Sequence, residues 1–222
     1  MRFLVLAALA AACPARASGP YATDDSFVTP AGERQVETWG SVTAGGHRVF
    51  FVPAFTPRAV PFLEFSAALE TERLSGARDS AVGVQAKARL LPEPAQAGAI
   101  GLSVAGGARV PTRSEDTEAF ANAALSWAAT GSTLVHLNLG WSGFIARPEG
   151  GVTWGARLEQ TLRPERLVLH AELFGAGAGR PGMQLGLRPT LRPGNIDLEF
   201  VAGRNLGGER ATWMTLGAAF RF

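Results

Sequence analysis

The sequence predicts an all-β fold, a transmembrane antiparallel up-and-down β-barrel of about 12 strands. Three observations predict it. Hydrophobicity alternates with a period of two over segments of about 9 to 13 residues, the connections between these segments are short and rich in turn residues, and the chain ends on an alternating apolar strand that stops at Phe222.

The chain begins with a leader. Arg2 precedes an apolar run over residues 3–12, and Ala-Arg-Ala at residues 15–17 forms a small-x-small cleavage pattern. This arrangement predicts a secretory signal peptide over residues 1–17. The lone cysteine, Cys13, raises a lipoprotein signal as the alternative, although three alanines precede it where such a signal prefers a leucine.

The composition after cleavage excludes several classes of protein. Cleavage after Ala17 leaves about 205 residues without a cysteine, so neither disulfides nor thiolate metal ligands are expected. Cleavage also removes Arg2 and Arg16 from the 21 basic residues, so 19 basic residues remain beside 19 acidic ones. The mature chain is therefore formally neutral and shows no basic patch for nucleic acid. No run of 18 apolar residues follows the leader, so a membrane-spanning helix is not expected.

The alternation predicts the strands one by one. Between residues 79 and 90, for example, Val82 and Val84 alternate with Gln85 and Lys87, so one face is apolar and the other polar. The predicted strands span residues 35–43, 47–56, 60–71, 79–90, 97–110, 117–130, 133–145, 151–162, 166–175, 182–191, 195–204 and 211–222.

The connections predict a meander. They read TAGG, TPRA, LSGAR, TGS, LRPER, RPGN and NLGGER, and they supply the glycine, proline, asparagine and acidic residues that tight reversals need. Neighbouring strands are therefore antiparallel, with no crossover helix. The expected organisation is a signal peptide at 1–17, a periplasmic N-terminal lead-in at 18–34 and a barrel at 35–222.

Two arrangements fit this alternation. A soluble sandwich or binding barrel places the apolar parity inside, whereas an outer-membrane barrel turns it towards lipid. The segments exceed the 5 to 6 residues usual in soluble strands and match the roughly 9 to 11 of a tilted membrane strand. Trp127, Trp141 and Trp154 share the apolar parity near strand ends, as interface aromatics do. From Ser80 to Phe222 no charged residue occupies that parity in mid-strand, where it would cost about 2 to 4 kcal/mol.

The last strand supports the membrane arrangement. Leu216, Ala218, Phe220 and Phe222 share one parity, which resembles the C-terminal signature strand of bacterial outer-membrane barrels. Phe220 and Phe222 are therefore expected to be an assembly signal. The expected location is the outer membrane of a Gram-negative bacterium, and the expected partners are outer-membrane lipids and the barrel-assembly machinery.

The polar parity predicts the lumen, where charges of both signs either pair or line a narrow pore. The candidate lumen-lining residues are Glu37, Glu64, Glu70, Lys87, Arg89, Arg109, His136, Arg157, Glu159, His170, Glu172, Arg188, Asp197, Glu199 and Arg221. Small inward residues, which leave space for a pore, are Gly83, Ala105, Gly107, Gly140 and Gly186.

Neither catalytic residues nor a metal or cofactor site are predicted. His136 and Ser142 share a strand and a face but lie about 20 Å apart, too far for a nucleophile and its base. A serine on a neighbouring strand is a geometric alternative that the sequence does not select. His170 and Glu172 are about 7 Å apart, within reach of a lumen hydrogen bond. The alternative functions are a barrel enzyme acting on lipid or lipopolysaccharide and a soluble binding barrel.

The stretch GPYATDDSFVTPAGERQVETW resembles the mature N-terminus of a family of outer-membrane β-barrel channels named after the meta-cleavage pathway of phenol degradation. The resemblance implies a non-enzymatic channel for passive passage of small hydrophobic or aromatic solutes. The surface loops of this chain are short for that family. The matching residues are Pro20, Thr23, Asp24, Asp25, Gly32 and Glu37.

The adjacent Asp24 and Asp25 are not expected to form a catalytic pair, because neighbouring side chains of an extended segment point in opposite directions. We expect them to cap turns or to pair with arginines in the turns beneath the barrel, for example Arg58, Arg163 or Arg192.

Overall fold

A computed structural model describes residues 19–222 except 114–115, 148, 178, 180, 193–194 and 208–210. The predicted signal peptide at 1–17 lies outside the described residues. The described residues form twelve strands: β1 Arg34–Thr43, β2 Gly46–Phe55, β3 Leu63–Leu74, β4 Ala77–Leu91, β5 Ile100–Pro111, β6 Glu118–Ala128, β7 Thr133–Phe144, β8 Gly150–Arg163, β9 Leu167–Ala176, β10 Gly182–Arg192, β11 Ile196–Asn205 and β12 Thr212–Arg221.

The strands form one closed antiparallel barrel. Each strand pairs with its neighbours along the chain, and β12 closes the sheet against β1. The predicted fold is confirmed, and the predicted bounds agree with the observed ones within three residues at either end. The β2–β3 turn shows why β3 starts late: the N–H of Val60 donates to Pro57 O and that of Leu63 to Val60 O, so two successive turns occupy an apolar stretch that continues the alternation.

The apolar parity faces outwards, as predicted. Leu139 is 65% exposed and Met214 71% exposed, whereas the buried side chains are mainly polar. Trp127, Trp141 and Trp154 lie on the same outer face. The barrel is therefore reversed relative to a soluble one, with a lipid-compatible exterior.

Charges on the outer face lie only near the strand ends within the described strands. Arg34 stands at one end of the barrel, and Arg73, Arg78 and Arg204 at the other. An uncharged apolar band therefore encircles the barrel between them, as a bilayer requires. Throughout the described part of the chain, helices of a length and hydropathy sufficient to cross a bilayer are absent.

We call the end that holds Arg34 and Arg221 the terminal end, and the end that holds the β1–β2 turn the hairpin end. At the terminal end Phe222 extends the closing ladder, since its N–H donates to Arg34 O at 3.0 Å and its carbonyl accepts from Arg34 N at 2.9 Å. Phe220 and Phe222 point outwards and are exposed. Their role as an assembly signal stays a prediction.

Candidate functional site

Residues 19–30, here called the N-terminal segment, lie inside the barrel. Thr23 and Ser26 are fully buried and Asp24 is 2% exposed. The expectation that residues 18–34 form a lead-in outside the barrel is wrong for this segment. Many of its backbone amides donate to side chains of the lumen wall, so the interior is the place where these polar groups are satisfied.

The segment contacts the wall on many sides. Its hydrogen bonds reach β1, β11, β7, β6 and β3 in turn, which is the order of these strands around the barrel, so it runs round the inner wall across the strands rather than along one of them. The donor and acceptor pairs are Gly19 N to Glu37 at 2.7 Å, Tyr21 Oη to Glu199 at 2.8 Å, Asp24 N to Asn138 at 2.7 Å, Ser26 N to Ser126 at 2.8 Å and Thr29 N to Glu64 at 2.7 Å.

Ion pairs fasten the two adjacent aspartates. Lys87, the single lysine of the chain, places Nζ 2.9 Å from Asp24 and 3.4 Å from Asp25. Arg157 lies 3.4 Å from Asp25 on the other side. Burial alone raises the pKa of Asp25, but Lys87 and Arg157 outweigh it and hold that pKa below its ordinary value.

The pairing expected for these aspartates is therefore wrong. Arg58, Arg163 and Arg192 are exposed at the turns of the terminal end, outside the lumen. The aspartates pair with Lys87 and Arg157 instead, because the segment runs inwards and a buried cation needs a buried carboxylate.

The remaining residues of the N-terminal motif also have structural roles. The carbonyl of Pro20 accepts from Gln184 at 3.3 Å, and the backbone N–H of Thr23 donates to Glu172. Gly32 adopts φ +87°, which favours glycine, and turns the chain from the segment towards β1. Burial, reinforced by the Glu199 carboxylate, raises the pKa of Tyr21 well above its ordinary value, so its hydroxyl stays protonated and donates.

Wall glycines make room for the segment. A Cβ atom on Gly155 would collide with Thr23, one on Gly186 with the Tyr21 hydroxyl, and one on Gly101 with Ser26. The inward glycines were expected to leave space for a pore, but at these positions the segment fills that space. Sequence reasoning identified Gly186 but not Gly101 or Gly155.

Gly155→Ala is therefore expected to loosen the segment. Overpacking of this kind costs about 1 to 3 kcal/mol. The buried Val28 provides a reporter, since a thiol introduced by Val28→Cys reacts with a maleimide only when the segment loosens. In this background Gly155→Ala should make the reaction about tenfold faster. Gly151→Ala is the matched control, because Gly151 lies on the same face of β8 and its added Cβ meets atoms only at 3.5 Å or beyond. Equal rates in the two variants would contradict this packing account.

All fifteen candidate lumen residues lie on the inward parity of the barrel. Many pair with one another, which supports the expectation that the lumen charges form ion pairs. Glu159 is the centre of one network, at 3.1 Å from Arg157, 2.9 Å from Arg188, 3.4 Å from His136 and 3.5 Å from His170. A buried carboxylate surrounded in this way holds several strands together.

His136 has the kind of partner that the sequence left open, a serine on a neighbouring strand, whereas His170 does not pair with Glu172. His136 Nδ1 is 2.8 Å from Ser126 Oγ on the adjacent strand, and Nε2 faces Glu159, so serine, histidine and glutamate stand in line. His170 packs its ring 4.7 Å from that of Tyr21 and faces Glu159, while Glu172 binds the segment instead. Position 126 carried no distinguishing signal, since serine is common on the polar parity.

The arrangement of Ser126, His136 and Glu159 is poorly placed for hydrolysis. Ser126 and His136 are completely buried, and the N–H of Ser26 donates to the Ser126 hydroxyl from the side that faces the lumen. A substrate carbonyl has no approach while the segment is in place. Among the described residues no group of three or more His, Cys, Asp or Glu side chains is arranged to hold a metal ion.

A cavity of about 790 Å³ remains between the segment and the wall. Polar and apolar side chains line it together, including Phe27, Trp39 and Glu64, and it extends to Glu165 and Arg221 at the terminal end. The lumen is therefore narrowed by the segment without being filled.

Comparison with known proteins gives a family and a fold. The model of the family described as "Uncharacterised conserved protein UCP029691" matches residues 5–222. No curated protein matches the sequence.

Three solved structures share the barrel. The KdgM porin in complex with disordered oligogalacturonate has a TM-score of 0.70 at 11% identity, covering 85% of this chain and 99% of its own. The COG4313 outer membrane channel from Pseudomonas putida F1 has a TM-score of 0.62 at 12% identity, covering 89% and 98%. Outer membrane phospholipase A from Escherichia coli has a TM-score of 0.53 at 12% identity, covering 93% and 94%. At such identities the likeness concerns the fold.

Proposed function

The chain belongs to the family of uncharacterised conserved protein UCP029691, and we propose that it is an outer-membrane channel for passive passage of small hydrophobic or aromatic solutes. The N-terminal segment acts as its internal constriction. The observation that carries the proposal is a polar lumen, partly open beside the segment, inside an apolar exterior.

The exterior supports a place in the outer membrane. An uncharged apolar band surrounds twelve long strands, and only closed barrels or helices satisfy their backbone groups in lipid. The fold shared with the KdgM porin and the COG4313 channel is consistent with that location. Outer-membrane lipids and the barrel-assembly machinery are the partners this placement requires.

The interior supports passage without chemistry. A barrel of twelve strands lies between side-chain-filled small barrels and open porins in width. Charges within the lumen largely neutralise each other through ion pairs such as Arg221 with Asp197 at 2.7 Å, so weak ion selectivity is expected. The motif resemblance at residues 20–37 adds hydrophobic or aromatic solutes as the class.

Planar-bilayer recording tests the proposal. The full chain, extracted from the outer-membrane fraction, should give small, weakly selective single-channel currents, and proteoliposomes should admit small uncharged solutes faster than protein-free vesicles. Recovery of the protein in the soluble periplasmic fraction, or bilayers that stay silent with folded protein, would refute it.

A barrel hydrolase is the second candidate, favoured by the line of Ser126, His136 and Glu159. On the channel proposal, Ser126→Ala leaves the lipid and lipopolysaccharide composition of cells unchanged, because the serine anchors Ser26 through a hydrogen bond. A change in acyl-chain composition with Ser126→Ala, absent with Ser142→Ala, would favour the hydrolase.

A further inference from the structure

Four inward aromatic side chains form an arc at the hairpin half of the lumen. Phe174, Trp213, Trp39 and Phe50 come from β9, β12, β1 and β2, all on the inward parity. Phe174 and Trp213 have ring centroids 6.2 Å apart, and Trp39 stacks on Phe50 at 4.7 Å with an angle of 18°. The three other tryptophans lie on the outer face. We call these four residues the aromatic arc.

Glycines hold two of these rings against the wall. A Cβ on Gly182 of β10 would lie 2.7 Å from the Phe174 ring, and one on Gly203 of β11 would collide with the Trp213 indole. The rings therefore rest over the bare backbone of a neighbouring strand instead of projecting across the lumen. An aromatic face, with the apolar surface that comes with it, is presented to whatever occupies the space beside it.

The arc stays partly accessible although it faces inwards. All four side chains are half-buried, whereas inward residues beside the N-terminal segment, such as Ser103 and His170, are completely buried. The arc is joined to the segment through Gln184, which accepts from the Trp213 indole at 3.0 Å and donates to the Pro20 carbonyl at 3.3 Å. Phe174 and Trp213 lie near the hairpin ends of their strands, whereas Trp39 also lines the cavity that extends to the terminal end.

Charged residues continue the wall from β2 to β6, beginning beside Phe50, whose cross-strand neighbour is Glu70. Arg48 lies 2.6 Å from Glu72 and 3.2 Å from Glu70, and Arg109 lies 2.7 Å from Glu70 and 3.4 Å from Glu118. Three carboxylates face two guanidinium groups, so this part of the wall holds a slight excess of negative charge. An anionic ligand would be disfavoured beside it, while a neutral ligand with a hydroxyl could hydrogen-bond to a carboxylate.

We propose that the aromatic arc is a binding site for neutral planar aromatic solutes with a polar edge. This inference rests on the proposed channel, for which it supplies the position and chemical class of the solute. One face of the solute stacks on the indole of Trp213 or Trp39, and its hydroxyl points to the carboxylates of the β2–β6 wall. Offset stacking favours flat rings over saturated ones of equal size.

Isothermal titration calorimetry of the full barrel in lipid nanodiscs tests the site with three probes. 2-Naphthol should bind saturably, whereas decahydro-2-naphthol, with the same carbon skeleton, and 2-naphthoate, with a negative charge, should each bind at least about fivefold more weakly. Empty nanodiscs correct for partition of the probes into lipid.

The variant Phe174→Leu with Trp213→Leu should weaken 2-naphthol binding about tenfold. Trp154→Leu is the matched control, since Trp154 is a tryptophan on the outer face, and it should leave binding unchanged. Heat-dependent gel mobility checks that each barrel is folded. If the double variant misfolds, the order of affinity among the three probes still decides.

Equal binding of 2-naphthol and decahydro-2-naphthol, or equal binding by the double variant and Trp154→Leu, would overturn the site. Channel recording separates this failure from that of the proposed function. A barrel that conducts ions without saturable 2-naphthol binding overturns the arc alone, and one that binds 2-naphthol without conducting overturns the channel alone.

Discussion

Deletion of residues 19–30 is expected to raise the single-channel conductance at least about threefold. The segment fills the part of the lumen where the wall offers glycines, and its removal replaces buried protein contacts with water across a twelve-stranded barrel. Wall charges such as Glu172 then become hydrated rather than unsatisfied, so the barrel should stay folded. The measurement is planar-bilayer recording of the intact and deleted chains at the same salt concentration.

Circular dichroism and heat-dependent gel mobility should show the same strand content for both proteins, because the barrel ladder from β1 to β12 closes without the segment. An unchanged conductance in a folded deletion variant would mean that another part of the chain limits the current. Loss of folding would mean that the segment is a core element and not a constriction.

Lys87→Met is expected to release the segment while the barrel remains. The ammonium group lies between Asp24 and Asp25 at 2.9 and 3.4 Å, and its side chain is 3% exposed. Breaking a buried ion pair from one side costs about 3 to 5 kcal/mol, because the carboxylates stay where they are poorly hydrated. The introduced thiol of Val28→Cys should then react with maleimide at least about tenfold faster, and the conductance should approach that of the deletion variant.

Arg89→Met is the matched control on the same strand and parity. Arg89 pairs with Glu93 at 3.1 Å where both side chains are about a third exposed or more, and such surface pairs contribute about 0 to 1 kcal/mol. Adding Asp24→Asn to Lys87→Met removes one of the two carboxylates that Lys87 neutralises. The thiol at position 28 should then react more slowly with maleimide than in Lys87→Met alone. If Lys87→Met and Arg89→Met behave alike, the ion pair does not hold the segment.

The barrel could be predicted from the sequence because its signal is repeated in every strand. A period of two, with charges such as Arg157 and Glu199 on one parity and leucines on the other, leaves two arrangements, and strand length with the uncharged outer band selects one. The start of β3 was less accurate, since the stretch around Pro61 and Phe62 continues the alternation although its backbone turns.

The position of the N-terminal segment could not be predicted from local composition. Its contacts join residues far apart in the chain, such as Tyr21 with Glu199 and Asp24 with Lys87, and its donors are largely backbone amides, which every sequence carries. The inward glycines indicated free space in the lumen. The sequence does not distinguish glycines that leave room for a pore from glycines that leave room for a segment of the same chain. The partners of His136 were hidden for the same reason, because register decides them.

A reversible disulfide tests the central claim, that the channel is constricted by its own N-terminal segment, most directly. Thr23 Cβ lies 3.1 Å from a Cβ placed on Gly155. A shift of the segment by about 0.5 Å reaches disulfide spacing, so Thr23→Cys with Gly155→Cys should cross-link the segment to β8. In the Lys87→Met background the oxidised protein should show low conductance, and a reductant should raise it in the same bilayer. A folded barrel that forms no cross-link, or whose conductance is the same before and after reduction, would contradict the account.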